Sequence, residues 1–304
     1  MSSAAPSRTI AAATNKTAIA FNGRFPSVVD CQSRDRVRGK CSSVPVCSTD
    51  PVRPMSTRER KTAVAWLEPG QPFPGVATAS GQDSATPGLL AATRHLDTPT
   101  LLHAYSSGIF PWYSEGQPVL WWSPDPRMVL VPEQFRVHRS FRKQLQKFVA
   151  DPACEIRIDS AFEQVILACA SGSRPGQRGT WIVPAMRQAY IELHQRGFAH
   201  SVETWVQGQL TGGLYCVALG QALFGESMFT RVSGASRIAL AALVALCRAH
   251  GIGMIDCQQN TAHLSLLGAR EVARADFCQH MALAQTREGL VWKFEPVYWK
   301  YILS

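Results

Sequence analysis

Two short polar clusters in the C-terminal half of the chain combine residue types and spacings that suit chemistry. Glu226 follows an apolar run at 222–224 and a glycine, and Asp256 and Gln258 follow a second apolar segment at 253–255. Burying an ionisable group in such surroundings costs free energy unless the group is paired or takes part in a reaction. Because the pattern occurs twice, we predict an active site and interpret it as a centre for acyl transfer. The competing interpretation is that both carboxylates only satisfy buried backbone groups.

A thiol also lies inside the second cluster, since Cys257 separates Asp256 from Gln258. The chain has nine cysteines, with no CxxC pair and no Cys/His set at the spacing of a zinc site. This usage favours reduced thiols, and no metal site is predicted. Because no neighbouring base can be assigned to Cys257, we favour a buried structural thiol over a nucleophile.

The amino-acid composition limits which classes of protein this chain can belong to. The 304 residues are 46% hydrophobic and 17% charged, as in globular proteins. The longest apolar stretch, 238–247, is about half of what a membrane-spanning helix requires, so we expect no membrane span. The formal net charge is +9, but residues 1–61 carry +7 of it. An argument for nucleic-acid binding must therefore rest on a local patch.

The N-terminal segment is rich in Ser, Ala, Arg and Pro and lacks sustained periodicity. We predict a disordered basic extension over 1–62 that takes no part in function. The absence of acidic residues before Asp30 superficially resembles an organelle transit peptide. Alternatively, Met55 marks a shorter start and the preceding residues reflect an upstream initiation.

The elements that must position the polar clusters predict the α+β class. Thr98 is expected to cap the first helix and Asp159 the third. The predicted helices are 99–107, 139–149, 160–170, 184–196, 236–250, 262–267 and 276–285, and the predicted strands are 119–122, 127–131, 155–158, 199–206, 210–219, 222–229 and 254–258. We therefore expect a small N-terminal α+β domain at 63–132, followed by a mixed-sheet catalytic domain at 133–304.

Seven motifs occur in order over roughly residues 65–285. They are Gly108-Ile109-Phe110-Pro111-Trp112-Tyr113, Leu120-Trp121-Trp122-Ser123-Pro124-Asp125-Pro126-Arg127, Thr180-Trp181-Ile182, His200-Ser201-Val202-Glu203, Phe224-Gly225-Glu226-Ser227-Met228-Phe229, Ile255-Asp256-Cys257-Gln258 and Leu266-Leu267-Gly268-Ala269-Arg270-Glu271. Together they resemble the leucyl/phenylalanyl-tRNA–protein transferase family.

The resemblance implies an aminoacyltransferase that needs no cofactor. Such an enzyme takes Leu or Phe, and also Met, from aminoacyl-tRNA, and its partners are leucyl-tRNA and phenylalanyl-tRNA. It attaches the amino acid to the N-terminal Arg or Lys of an acceptor protein and so marks that protein for degradation. A GNAT-like C-terminal domain, similar to N-acetyltransferases, and a monomer in the cytoplasm are also implied.

The polar clusters suit this reaction. Asp256 and Gln258 are two apart on a predicted strand and should point to the same face. We expect the Gln258 carbonyl to accept a hydrogen bond from the attacking amine, while Asp256 orients that contact and helps disperse the proton. Glu226 would offer a negative charge to the basic side chain or the ammonium group of the acceptor.

The donor side chain needs an apolar pocket without room for β-branched bulk. By match to family positions, this aminoacyl pocket would be lined by Trp181, Leu214, Met228, Leu240 and Ile255. For each of these residues, ordinary core packing is the alternative.

Contacts with tRNA are expected from an aromatic ring and from a basic helix face. Trp112 would stack on the terminal adenine, a contact worth roughly 1–3 kcal/mol. Ser236 lies in a loop at 231–236 that precedes a helix and could meet a phosphate. The basic face would neutralise phosphates of the acceptor stem through Arg139, Arg142, Lys143 and Lys147.

Two other function classes stay open. The loop at 231–236 is close to the Arg-x-x-Gly-x-Gly/Ala pattern that holds coenzyme A in acetyltransferases, so a coenzyme A-dependent N-acetyltransferase is one alternative. Trp112 and the basic helix favour the tRNA-dependent enzyme over it. A non-catalytic RNA-binding module is the other, but it would leave Glu226, Asp256 and Gln258 without a task.

Overall fold

The computed structural model describes residues 64–171 and 182–304. The predicted extension at 1–62 lies outside the described residues, and so does Trp181 of the predicted aminoacyl pocket. The rest belongs to one compact unit, Val64–Ser304.

Strands and helices alternate irregularly along this unit. The strands are β1 Ala65–Leu67, β2 Leu89–Thr93, β3 Phe110–Pro111, β4 Val119–Trp122, β5 Arg127–Leu130, β6 Cys154–Ile158, β7 Ala199–Val206, β8 Gln209–Leu219, β9 Ala222–Thr230, β10 Ile255–Gln258 and β11 Arg270–Val272. The helices are α1 Thr98–Ser106, α2 Arg139–Ala150, α3 Phe162–Ser171, α4 Pro184–Gln195, α5 Ala235–Ala249, α6 Ala262–Leu266, α7 Arg274–Ala284 and α8 Lys300–Leu303.

The strands form a small sheet and a large one. The small sheet has the order β1-β2-β4-β3, and the large sheet has the order β11-β5-β10-β9-β8-β7-β6. In the large sheet β9 and β10 run parallel and are connected through α5, whereas the other five neighbouring pairs are antiparallel. The predicted α+β class with a mixed sheet is confirmed.

The meander β7–β8–β9 forms the centre of the large sheet, as its hairpin signals predict. Gly208 and Gly220 occupy the two turns with φ of 72° and 57°, a conformation that favours glycine. Strands β1, β2, β3 and β11 were not predicted, because they are two to five residues long and lack a clear alternation.

The chain passes from the small sheet to the large sheet before residue 132, where the domain boundary was expected. Strand β4 ends in the small sheet, and β5 pairs with β10 and β11 of the large sheet. The chain therefore passes between the sheets at 123–126, where the Asp125–Pro126 peptide is cis. Both strands are fully buried, so their sequences do not reveal which sheet each one joins. The division into domains at 63–132 and 133–304 stays a prediction.

Two predicted helix caps were wrong. Asp97, not Thr98, caps α1, because its carboxylate accepts the backbone N–H of Thr100 at 2.8 Å. At the start of α3 the carboxylate of Glu203, on β7, accepts the backbone N–H of Ala161 at 2.7 Å. Asp159 has φ 58° and binds His200 and the backbone N–H of Ser201 instead.

Apolar side chains cover both faces of the large sheet. Along β8, Tyr215 and Val217 belong to one buried cluster, whereas Leu214 and Cys216 belong to the other, as strand alternation requires. The first cluster includes α1, α3, α4 and the small sheet, and the second includes α2, α5 and the C-terminal tail. Among the described residues, the helices are all too short or too polar to cross a membrane.

Candidate active site

Glu226 lies at an irregularity in the large sheet. In the β8–β9 pair, Tyr215 is opposite Ser227 and Cys216 is opposite Gly225, so Glu226 is an extra residue without a direct partner. Such a bulge re-aims a side chain that regular alternation would direct elsewhere. The Glu226 side chain consequently meets residues of α1, α4 and β10.

Three hydrogen bonds hold the Glu226 carboxylate. Oε1 accepts from the phenol of Tyr105 at 2.7 Å and from Nε2 of Gln258 at 3.2 Å, and Oε2 accepts from the phenol of Tyr190 at 2.9 Å. Burial raises the pKa of Glu226 to about 7, although the two phenol donors oppose that shift. Glu226 is therefore a half-buried carboxyl group that changes its charge near neutral pH.

Asp256 is placed differently from Glu226, because it forms a fully buried ion pair. Arg127 Nε donates to Asp256 Oδ1 at 2.8 Å and Arg127 Nη2 donates to Oδ2 at 2.6 Å. The guanidinium lies over the rings of Phe110 and Phe277, at 4.7 and 4.5 Å from their centroids. It also donates to the carbonyl of Gly108 at 3.2 Å. The pair joins three of the sequence motifs at one point.

The expectation that Asp256 and Gln258 share a strand face rests on regular alternation, and β10 is not regular there. Asp256 is opposite Val129 and Gln258 is opposite Met128, so the register shifts between them. Gln258 has φ 58°, in the left-handed region that a residue with a side chain adopts at a cost of about 1–3 kcal/mol. Because of this bulge, the side chains of Asp256 and Gln258 do not follow the alternation of a regular strand.

The two halves of Gln258 have different partners. Its backbone N–H donates to Asp256 Oδ1 at 2.9 Å, and its side-chain nitrogen donates to Glu226. Asp256 thus fixes the backbone of Gln258, and Glu226 orients its amide. Because the nitrogen end of the amide faces Glu226, the oxygen end is the acceptor available to an incoming amine.

Cys257 fits the structural interpretation of its thiol. Burial raises the pKa of Cys257 far above its usual range, and Sγ lies 3.7 Å from the carbonyl of Ile255. A thiol that stays protonated at neutral pH is a poor nucleophile.

Four of the five residues predicted for the aminoacyl pocket belong to or pack against one apolar cluster. Leu214 and Met228 are opposite each other in the β8–β9 pair. Leu240 of α5 and Ile255 of β10 belong to the same apolar cluster as Leu214, and Met228 packs against that cluster.

Trp112, predicted to stack on the terminal adenine, is half-buried. Its ring centroid is 5.6 Å from that of Trp122 in an edge-on arrangement, and its carbonyl accepts the Trp122 indole N–H at 2.7 Å. The contact with Trp122 fixes one side of the ring, and part of the side chain remains accessible.

The basic face of α2 is only partly free. The helix buries Phe141, Leu145 and Phe148, so it is docked. Arg139, Lys143 and Lys147 are exposed. Arg142 is half-buried, and its Nη1 donates to the carbonyl of Leu303 at 2.9 Å. This hydrogen bond ties the C-terminal tail to α2.

The loop at 231–236 is held close to the sheet and to α2. Gly234 has φ 84°, and a side chain there would collide with Gln144, whose amide donates to the Ser233 carbonyl at 2.5 Å. Ser236 is half-buried in the first turn of α5. Arg231 donates to the carbonyl of Leu210 at 2.9 Å and lies over the Phe229 ring.

Sequence reasoning assigned no role to Tyr105, Tyr190 and Arg127. Each tyrosine lies on the buried face of its helix, where a phenol needs a hydrogen-bond partner. Arg127 precedes the apolar residues of β5, so the principle that singled out Asp256 applies to it as well.

Comparison with known proteins agrees with the motif pattern. A sequence profile described as "Leucyl/phenylalanyl-tRNA protein transferase" matches residues 129–282, and one described as its N-terminal domain matches residues 94–125. A protein of Polaromonas sp. (strain JS666) named leucyl/phenylalanyl-tRNA–protein transferase is 63% identical over 79% of this chain and 94% of its own length. A protein of the same name from Albidiferax ferrireducens is 61% identical over 79% and 94%.

Solved structures are more distant. A GCN5-related N-acetyltransferase from Kribbella flavida is 14% identical, with a TM-score of 0.29 over 57% of this chain and 59% of its own. The C-terminal domain of a putative lysylphosphatidylglycerol synthetase from Agrobacterium fabrum is 11% identical, with a TM-score of 0.33 over 70% and 64%. The first sequence profile contains Glu226, Asp256 and Gln258, and the second contains Tyr105.

Proposed function

This chain belongs to the leucyl/phenylalanyl-tRNA–protein transferase family, and we propose that it transfers Leu or Phe, and also Met, from aminoacyl-tRNA to the N-terminal Arg or Lys of acceptor proteins. The enzyme is an aminoacyltransferase, and its product carries a new N-terminal residue, joined by a peptide bond, that marks the acceptor for degradation. The observation that carries this proposal is the Gln258 amide, oriented by Glu226 through a 3.2 Å hydrogen bond within the matched region.

The reaction needs orientation more than driving force. An aminoacyl ester is activated relative to the amide that replaces it, so the enzyme must mainly align a neutral amine with the ester carbonyl. We assign that alignment to the Gln258 amide oxygen, which accepts a hydrogen bond from the attacking amine. Asp256, anchored by Arg127, keeps the backbone of Gln258 in its left-handed conformation.

Acceptor selection is assigned to Glu226. An N-terminal Arg or Lys brings two cationic groups, the α-ammonium and the side chain, and Glu226 is a half-buried carboxylate beside Gln258. An ionised carboxylate in such a place favours a cationic acceptor over a neutral one.

The donor side chain is assigned to the apolar pocket. Leu214, Met228 and Ile255 lie on strands of the large sheet and Leu240 lies on α5, and all four belong to or pack against one apolar cluster. An apolar slot of this kind accepts Leu, Phe and Met, and a methylene more or less changes binding by about 1–3 kcal/mol.

The tRNA is proposed to bind along α2 and the start of α5. Arg139, Lys143 and Lys147 are exposed and spaced four residues apart, so they form one stripe on the helix. Their contacts with phosphates carry no sequence information but position the acceptor stem. Ser236 and Trp112 are assigned to the terminal phosphate and the terminal adenine.

The setting proposed for this reaction is a cytoplasmic monomer built of two domains, with the small domain at 63–132 and the catalytic domain at 133–304. The family, not a particular residue, supports the compartment and the monomeric state. The coenzyme A alternative gains no support from Arg231, because its guanidinium is tied to the Leu210 carbonyl.

One assay separates the candidate functions. The protein is incubated with radiolabelled phenylalanyl-tRNA and peptides that differ only in their first residue. Label should enter peptides that begin with Arg or Lys but not a matched peptide that begins with Ala. Acetyl-CoA turnover without label transfer would support the acetyltransferase instead, and tRNA binding without either product would support an RNA-binding module.

A further inference from the structure

Three oxygen-bearing side chains from separate elements meet at the buried end of Glu226. Tyr105 of α1 and Tyr190 of α4 are fully buried, and their phenol oxygens are 2.6 Å apart. Each phenol also reaches one carboxylate oxygen of Glu226, at 2.7 and 2.9 Å. The three groups therefore form a closed ring of three short O···O contacts.

A ring of three such contacts needs three protons. When Glu226 is ionised, the ring holds only the two phenol protons. If both phenols donate to Glu226, then two lone-pair oxygens face each other at 2.6 Å between Tyr105 and Tyr190. If one phenol donates to the other, one carboxylate oxygen faces a hydroxyl without a proton between them. In both arrangements, one of the three O···O contacts has no proton between its two oxygens.

Protonation of Glu226 removes this mismatch. The carboxyl group can then donate to Tyr190, Tyr190 to Tyr105, and Tyr105 back to Glu226 Oε1, which still accepts from Gln258. All three contacts carry one proton each, and each member donates once. The geometry fits the protonated ring better than the ionised one.

The carboxylate oxygens of Asp256 are already engaged by other donors. Both of its oxygens accept from Arg127, and Oδ1 also accepts the backbone N–H of Gln258. A proton on Asp256 would leave the buried guanidinium without a counter-charge, which is costly in free energy. Of the two carboxylates near the Gln258 amide, Glu226 is the one with room for a proton.

We propose that Glu226 takes the proton that the acceptor's N-terminal ammonium must lose before it attacks, and that Tyr105 and Tyr190 are positioning residues that hold this proton in a closed ring. The inference rests on the proposed transfer reaction. An amine bound at the oxygen of the Gln258 amide lies within one hydrogen bond or one bridging water of Glu226.

The protons and electrons of this step balance. The ammonium gives one proton to Glu226, and the nitrogen lone pair forms the new C–N bond at the ester carbonyl. As the C–O bond to the tRNA ribose breaks, the leaving oxygen takes the second proton that the nitrogen loses. Glu226 returns its proton to water before the next cycle, so the net reaction releases one proton.

The groups that face Glu226 explain why it titrates where this role requires. Burial and the charge of Asp256 raise its pKa, whereas the phenols of Tyr105 and Tyr190 and the charge of Arg127 lower it, and the resulting pKa is about 7. On β8, the Tyr215 ring centroid lies 5.3 Å from that of Tyr190, and the charge of Glu226 is one of the causes that raise the pKa of the Cys216 thiol, after its burial. An acceptor ammonium has an ordinary pKa of about 8, close enough for ready proton transfer.

The proton on Glu226 can be observed without any substrate. The carboxyl carbons of glutamate are labelled with ¹³C, and the free protein is titrated by NMR from pH 5 to 9, with Glu226→Gln assigning the signal. We expect a midpoint near neutral pH that falls in Tyr190→Phe and in Tyr105→Phe, because each variant opens the ring in which only the protonated carboxyl fills all three contacts. A rise in both variants would show that the phenols act only as donors to the ionised form, and would overturn the ring. A carboxyl group ionised throughout, or an unchanged midpoint in both variants, would overturn the inference.

Transfer kinetics supply the second measurement. The kcat/KM for an Arg-starting peptide is measured against pH for the wild type and Glu226→Gln. We expect the ratio of wild type to variant to be at least about tenfold at pH 6.5 and to shrink steadily towards pH 8.5, where the acceptor loses its proton unaided. A ratio that does not change with pH would show that Glu226 only binds charge, and would overturn the proton role.

The two measurements separate this inference from the proposed function. If the wild type modifies no Arg-starting peptide, the transferase assignment fails, whereas the NMR titration still reports on the proton ring. If transfer occurs and the titration shows no neutral-pH midpoint, the transferase assignment stands and the proton role falls.

Discussion

Arg127 and Asp256 form an ion pair with two parallel contacts, 2.8 Å from Nε to Oδ1 and 2.6 Å from Nη2 to Oδ2, with both side chains fully buried. The pair links β5 to β10, the strand that carries Gln258, and the guanidinium is enclosed by Phe110 and Phe277. A two-point contact fixes both distance and orientation. Asp256 is thereby a support for the backbone of Gln258.

Breaking this pair on one side should destabilise the protein strongly. Arg127→Ala leaves a buried carboxylate without its counter-charge, so we expect the free energy of unfolding to fall by about 3–5 kcal/mol. Urea unfolding followed by circular dichroism measures this. Arg139→Ala removes an exposed arginine and should change stability by at most about 0.5 kcal/mol. Similar effects for both variants would contradict the assignment.

Gln258 allows the stability and the activity of the site to be separated. Gln258→Gly relieves the left-handed backbone, whereas Gln258→Ala keeps it, so the Gly variant should be more stable than the Ala variant by about 1 kcal/mol. Both variants lose the amide, and both should lower transfer by about 100-fold or more while tRNA affinity is retained. Near-normal turnover in either variant would contradict the role of the amide.

The sequence was a good guide where structure is local. The hairpins of β7–β9 follow from glycine turns, and the helices α2, α4 and α5 were predicted to within one residue or so of their observed ends. Fold class followed from the order of these elements. The short strands and the strand–sheet assignment of β5 depend on partners far along the chain and could not be predicted from local pattern.

The sequence allowed the residues of the site to be predicted, but not the contacts between them. Glu226, Asp256 and Gln258 stand out because each is polar in apolar surroundings. Their partners are distant in sequence: Arg127 precedes Asp256 by 129 residues, and Tyr105 precedes Glu226 by 121. The bulges that redirect Glu226 and Gln258 arise from pairing with β8 and β5. The sequences of β9 and β10 alone therefore do not indicate where the bulges occur.

Stability should depend on pH through Glu226. Its pKa is about 7 in the folded protein against 4.5 when exposed, so between these values the folded state holds a proton that the unfolded state has released. The stabilisation that this carboxyl contributes is therefore present at low pH and lost as pH rises through about 7. Relative to Glu226→Gln, the wild type should lose up to about 3 kcal/mol from pH 4.5 to 7.5. Unfolding in urea at several pH values measures this difference, and a constant offset between the two proteins would contradict the raised pKa.

The exposed stripe on α2 should control the salt dependence of tRNA binding. Each phosphate neutralised by Lys or Arg contributes about 0.7–0.9 to the slope of log affinity against log salt concentration. Lys143→Ala and Lys147→Ala should therefore each weaken binding and reduce that slope by nearly one unit, as filter binding at several salt concentrations would measure. Arg142→Ala should leave the slope unchanged and lower stability instead, because its guanidinium holds the Leu303 carbonyl.

Lys293 provides the matched control for this series. It is 73% exposed, pairs with Glu295 in the C-terminal tail and has no place in the proposed tRNA surface. Lys293→Ala removes one positive charge, as Lys143→Ala does, so the two variants have the same net charge. If the slope falls equally in both, binding follows total charge and the stripe is not the tRNA surface. If it falls only for Lys143 and Lys147, the phosphates lie along α2, because counterion release depends on the charges that actually meet them.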